Sequence, residues 1–219
     1  MAQIIPVIND KTSLKIQAKL SLFKDYHNWL QLDIADGKFT TWKNFTDIPK
    51  IINLISKLKV KAKWEVHLMV KNNLKVFQDL LALRPKRIIF HYEALNNDEI
   101  FWFYRETKRH HIEMGIALVP ETPVEAIVPY LQKIKFVLLL GVTPGPSGQV
   151  FHGYVLDKVK YLKKKYPGIK VELDGGIDEE IAKKAIENKV DYLAMGSLIF
   201  DSPQPWEKFQ VIKQSLGIK

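Results

Sequence analysis

Val171-Glu172-Leu173-Asp174-Gly175-Gly176-Ile177, followed further on by Asp191-Tyr192-Leu193-Ala194-Met195-Gly196-Ser197, decides how this chain is read. Each segment is an apolar strand candidate that ends in glycine and runs into a helical pattern. Such a junction lets backbone N–H groups converge on an anion at a helix N-terminus. Two of them in succession predict a phosphate cup at Gly175, Gly176, Gly196 and Ser197. Asp174 stands at the end of the first strand, beside whatever the cup holds. The pair points to chemistry on a small phosphorylated molecule.

Outward from these segments, the same alternation runs the length of the chain. Strand candidates lie near residues 3–8, 29–34, 63–69, 87–91, 113–118, 135–140, 169–173 and 190–195, with amphipathic helical patterns between and after them. Parallel strands need helical crossovers, and eight βα units is the number that closes a barrel. The expected fold class is therefore α/β, a single (β/α)8 TIM barrel occupying one domain over residues 1–219. Two stretches without strong periodicity, Lys38 to Asp47 and Gly141 to Gly153, are expected as loops on the C-terminal, catalytic face.

Composition narrows the function classes. With 47% hydrophobic residues in 219, the chain can bury a sizeable core. The absence of cysteine excludes disulfides, thiolate metal sites and a cysteine nucleophile. The first residues lack the basic and long apolar regions of a signal peptide, and no run approaches bilayer length; a cytoplasmic location and no membrane partner are expected. The net charge of +9 raises the question of nucleic acid. The lysines recur among apolar residues at helical spacing, as in Lys158-Val-Lys-Tyr-Leu-Lys-Lys-Lys165, which predicts a solvated outer helix face. No nucleic-acid motif is present, so the excess charge is assigned to drawing in an anionic substrate.

Polar residues interrupt the strand ends where chemistry would sit: Asn9, Gln31, Asp33, Asp36, His67, His91 and Asp174. Gln31 and Asp33 are two apart and share one side of their strand. With that side facing inward, the pair looks into the barrel mouth beside His67 and Asp174. Such a cluster can hold a hard or borderline divalent cation and supplies two carboxylates for proton transfer. Taken singly, the aspartates read more readily as helix caps and the histidines as hydrogen-bonded core residues. Joint placement at successive strand ends favours a site.

Six segments in order resemble the ribulose-phosphate 3-epimerase family. Leu30-Gln-Leu-Asp-Ile-Ala-Asp-Gly-Lys-Phe39 is similar to the family's His-x-Asp-x-Met-Asp-Gly-x-Phe; Glu65-Val-His-Leu-Met-Val70 to Asp-x-His-Leu-Met-Val; Phe90-His-Tyr-Glu-Ala94 to Phe-His-x-Glu-Ala. Val142-Thr-Pro-Gly-Pro-Ser-Gly-Gln149 resembles Val-x-Pro-Gly-Phe-Gly-Gly-Gln, and Val171 to Ile177 with Gly196-Ser-Leu-Ile-Phe200 complete the set. The resemblance implies interconversion of D-ribulose 5-phosphate and D-xylulose 5-phosphate in the pentose phosphate pathway, with Asp33 and Asp174 as the acid/base pair. It also implies a divalent cation, Zn, Fe, Mn or Co, on Gln31, Asp33, His67 and Asp174. Substrate is expected at Asn9 and His67, and its phosphate at Gly175, Gly176, Gly196 and Ser197, under a loop containing Gly145 and Gly148. A phosphorylated ketose is the expected partner, and a homo-oligomer the expected assembly.

Departures from the family pattern gather at the site. Gln31 replaces a histidine ligand, which leaves the ion's identity open, since a neutral amide oxygen suits harder ions. Pro6 stands for a serine, Ala35 and Leu140 for methionines, Lys38-Phe-Thr-Thr-Trp42 for His-Phe-Val-Pro-Asn, and Pro146-Ser147 for Phe-Gly. These leave two further readings open: a barrel acting on another ketose phosphate, such as a hexulose 6-phosphate, and a non-catalytic sugar-phosphate binder that has lost its metal.

Overall fold

Strict alternation between strand and crossover gives a sheet with no free edge. In the computed structural model, which describes residues 2–146 and 148–218, eight parallel strands pair in chain order and close into a barrel. They are β1 (Gln3–Ile8), β2 (Trp29–Ala35), β3 (Lys63–Met69), β4 (Arg87–His91), β5 (Glu113–Leu118), β6 (Phe136–Leu140), β7 (Lys170–Asp174) and β8 (Tyr192–Met195). Closure is made by β8 against β1, from Gln3 opposite Tyr192 to Pro6 opposite Met195. The architecture is the (β/α)8 TIM barrel that the periodicity predicts.

The outer ring is built from α1 (Ser13–Leu22), α2 (Ile48–Leu58), α3 (Asn73–Leu80), α4 (Asn97–Arg109), α5 (Val155–Lys165), α6 (Glu179–Glu187), α7 (Ser197–Phe200) and α8 (Pro205–Ser215). Several start where a side chain satisfies otherwise orphaned N–H groups: Thr12, Asp47, Asn72 and Asp178 each accept a backbone hydrogen bond, and Asn96 with Glu99 forms a reciprocal capping box. The crossover from β5 to β6 is instead a 3-10 helix, Val124–Tyr130. Pro129 lies inside it and has no N–H to continue an α-helical ladder.

Two different cores follow from the period of two along each strand. On β7, Val171 and Leu173 face outward into the main apolar core under the helices, while Glu172 and Asp174 take the other parity. Inside the barrel, Ile89, Ala117, Phe136, Leu138 and Leu140 fill one side. The remainder is polar and buried: Gln31, Asp33, Glu65, His67, Arg87, His91, Glu172 and Asp174. Arg87 bonds Glu65 and, at 2.8 Å, Glu113, and its guanidinium lies 3.5 Å from the Phe136 ring centroid. Burial, with Glu65 beside it, pushes Glu172 well above the usual carboxylate range, which favours its neutral acid. This charged layer is a floor beneath the mouth.

Candidate active site

Register sets the cluster at the mouth. Asp33 on β2 lies opposite His67 on β3, and β7 ends at Asp174. Asn9 follows β1. Gln31 Nε2 donates to Asp33 Oδ1 and to Asp174 Oδ2, each at 2.8 Å. His67 Nδ1 stands 3.4 Å from those same two oxygens. Asn9 Nδ2 donates to the other oxygen of Asp33 at 3.1 Å, and Asn9 Oδ1 accepts from Asn44 Nδ2 at 3.1 Å and Trp42 Nε1 at 3.3 Å. Two carboxylates from opposite parts of the barrel are thus joined by an amide and an imidazole.

A second chain of contacts orients His67. Its Nε2 meets His91 Nε2 at 2.9 Å, and His91 Nδ1 meets Glu93 Oε2 at 3.1 Å, while Glu93 Oε1 accepts from Val119 N. Burial, aided by the His67 charge, outweighs Glu93 and takes His91 down to about 4, so His91 is neutral. With Nδ1–H given to Glu93, its Nε2 is an acceptor for the N–H on His67 Nε2. His67 then turns Nδ1 toward the carboxylates. Burial acts to lower His67, but Asp174 and Asp33 overcome it and raise the imidazole to about 10. Burial also pushes Asp33 upward against the His67 contact; the Asp174 charge adds to the rise and the Gln31 hydrogen bond opposes it.

These donors suit a divalent cation. Asp33, His67 and Asp174 offer ligand atoms all within 4.8 Å of one another. Gln31 Oε1 is buried without a hydrogen-bond partner, and two carboxylates beside an imidazole match the chemistry of a borderline ion. The bond from His67 to His91 is the kind of outer contact that fixes a ligating imidazole's tautomer.

Above the cluster lies a small cavity of about 50 Å³, bounded by Asp33, His67 and Asp174 on one side and by Gly175, Gly196, Ser197, Gly145 and Gly148 on the other. Gly175 and Gly176 have φ of +89° and +67°, and added Cβ atoms would lie 2.6 Å from Val142 Cγ2 and 2.9 Å from the Gln149 carbonyl oxygen respectively. The turn therefore requires glycine twice, for its backbone and for its space. The end of α6 carries acidic groups of its own. Asp178 caps it, and Glu179 and Glu180 fill its first turn, so that positive end is already compensated. The start of α7, at Gly196, has no side-chain cap.

Comparison with known proteins agrees with this geometry. Residues 4–200 match the model of the ribulose-phosphate 3 epimerase family. The chain belongs to that family. A ribulose-phosphate 3-epimerase of Schizosaccharomyces pombe is 32% identical over 194 residues, covering 86% of this chain and 82% of that one. One from Helicobacter pylori is 34% identical over 198 residues, covering 87% and 88%. Among solved structures, a tryptophan synthase α-subunit from Pyrococcus furiosus superposes with a TM-score of 0.72 at 14% identity over 99% of this chain and 98% of that one, a likeness of fold alone.

Within this epimerase-family barrel, several expectations change. Pro6 pairs with Met195 at the barrel seam, and it is the neighbouring Val7 that borders the cavity. Leu140 also borders it; Ala35 is buried, its N–H given to Asn44 Oδ1 at 2.9 Å. Asp36 serves the loop, accepting from the amides of Lys38, Phe39 and Lys71. Lys158 departs from the solvated helix face: its Nζ is tied to the carbonyls of Val119 and Thr122. Ser147 lies outside the described residues. Asn44 and Glu93 join the site's hydrogen bonds without having been singled out for it, and Trp42, one of the departures expected at the site, joins them through Asn9. Glu93 alone had a local signal, its spacing of two from His91.

Proposed function

We propose that this family member interconverts D-ribulose 5-phosphate and D-xylulose 5-phosphate by inverting C3. The observation that carries the reading is the meeting of two buried carboxylates, Asp33 from β2 and Asp174 from β7, at the base of a cavity walled by glycine turns. Inversion beside a ketone needs one group to remove the proton and another on the opposite face to return it. Asp33 and Asp174 take those roles. The upward push on Asp33 suits a base, because it brings the group's proton affinity nearer to working pH. Asn9 and Gln31 hold Asp33 in place through one oxygen each.

The substrate phosphate rests on the amides around Gly175, Gly176, Gly196 and Ser197, with the loop at Gly145 and Gly148 closing over it. Closure excludes water and protects the enediolate. A divalent cation held by Asp33, His67, Asp174 and Gln31 would stabilise the charge developing on the two enediolate oxygens. The same reading takes residues 1–219 as one domain of a cytoplasmic homo-oligomer. No helix among the described residues is long and apolar enough to cross a membrane.

A coupled assay for xylulose 5-phosphate, run in chelator and then with Zn²⁺, Mn²⁺, Fe²⁺ and Mg²⁺ in turn, tests the proposal. Turnover of ribulose 5-phosphate above that of a hexulose 6-phosphate is the expected result. Absence of solvent deuterium at C3 with every ion sinks it.

A further inference from the structure

Gln31 stands in an arrangement that its own two ends describe. Its Nε2 is shared between Asp33 Oδ1 and Asp174 Oδ2 at 2.8 Å each, while its Oε1 is buried with no partner. An amide placed the other way round would set oxygen against two carboxylate oxygens and leave N–H groups unpaired in the opposite direction. Nitrogen and oxygen of an amide are assigned by their hydrogen bonds, and here those bonds permit one assignment unless a cation lies between the acidic oxygens. With a cation there, the electrostatics reverse: oxygen is drawn inward and N–H repelled.

We propose that the Gln31 amide is a stand-in for the cation, bridging Asp33 and Asp174 when no metal is bound and turning over when one enters. Two carboxylates facing each other in a buried site repel unless something positive or donating lies between them; His67 Nδ1, 3.4 Å from the same two oxygens, supplies part of that and the Gln31 N–H groups the rest. The ring N–H groups of a histidine point in divergent directions and only one can face the pair, whereas both N–H groups of the amide leave one nitrogen and reach both oxygens. The bridge keeps the donor atoms gathered in metal-free protein. It also opposes entry, because the ion must displace two charge-assisted hydrogen bonds. The consequence is a site that survives metal loss and binds metal more weakly than a histidine-bearing one. This rests on reading Asp33, His67 and Asp174 as donors to a cation, and is independent of which sugar phosphate is turned over.

The test compares full-length wild type with Gln31→His and Gln31→Met. Melting temperatures are measured in chelator and in saturating Zn²⁺, and affinities for Zn²⁺ and Mn²⁺ by calorimetry. In chelator, wild type melts above both variants. In Zn²⁺ the order of wild type and Gln31→His inverts, and Gln31→His binds Zn²⁺ at least about tenfold more tightly, the scale on which groups around a metal site act. A residue that merely fills space does not produce that inversion. Should Gln31→His fail to fold, the drop of Gln31→Met in chelator, together with a metal-induced shift of the Gln31 side-chain amide resonance in ¹⁵N-labelled wild type, answers the same question. The proposal is overturned if either variant equals wild type in chelator, if Gln31→His binds Zn²⁺ no more tightly, or if that resonance is indifferent to metal. Absence of epimerase activity in metal-loaded wild type alongside a clear inversion overturns the functional reading and leaves this one standing.

Discussion

At Asp33 three side chains meet one carboxyl group, Asn9, Gln31 and His67, and the Asp174 charge acts on it across the cluster. Replacing Asp33 or Asp174 by Asn removes one of two proton-transfer groups while keeping size. Each change is expected to lower kcat by about 10²- to 10⁴-fold or more, with an unchanged circular dichroism spectrum. His91 acts one step further out. His91→Phe removes the acceptor that fixes the His67 tautomer and is expected to weaken metal affinity about 10- to 100-fold, read by calorimetry; unchanged affinity would dissolve the argument from His67 to Glu93. Asp33, His67 and Asp174 could be picked out from sequence because polar residues recur at the ends of several successive apolar strands, a pattern none of them makes alone. The contacts of Asn44 and Trp42 with Asn9 could not. Both residues sit in an irregular loop with no period to place them, and their role comes from Asn9, with which they have no relation along the chain.

Among the elements, β7 shows how a strand divides its work between its two ends. Its start is tied down by Asp191, which takes Lys163 Nζ from α5 at 2.8 Å, Lys170 Nζ at 3.1 Å and the Val171 amide at 2.8 Å. Burial pushes Asp191 upward, but these donors win and hold it below the usual carboxylate range. A group depressed in the folded state stabilises above its unfolded pKa, and that stability is lost as pH falls through the folded value. Acid melts of wild type and Asp191→Asn should therefore differ above about pH 4 and converge below it. The difference at neutral pH should be about 1 kcal/mol after allowing for solvent screening, with turnover unaffected since this is the stability face. The strands were readable almost to the residue because β-branched and leucine-rich runs bounded by glycine, proline or charge are local signals. The crossover from β5 to β6 was not. Its apolar spacing reads as an α-helix, and Pro129 diverts it to a tighter one.

For the whole molecule, the polar floor of the barrel is a buried charged layer held together by Arg87. Removing the buried Arg87 charge leaves Glu65 unpaired, so Arg87→Met should destabilise by about 3–5 kcal/mol in denaturant titrations, while Arg87→Met with Glu65→Leu should recover most of the loss. Equal loss in single and double variants would mean that packing around Phe136, not charge, is what Arg87 contributes. By itself the sequence determined the barrel, the placing of Asp33, His67 and Asp174 at one face, and the glycine turns, because periodicity, strand parity and backbone freedom are properties of neighbouring residues. Only the tertiary structure decided which way Gln31 turns its amide, that the end of α6 is already compensated, and that Glu65, Arg87 and Glu172 share one buried layer. Gln31 and Asp174 are 143 positions apart. No local pattern reports such a contact; closing the barrel brings the two side chains together, and the charge between them then selects the donor.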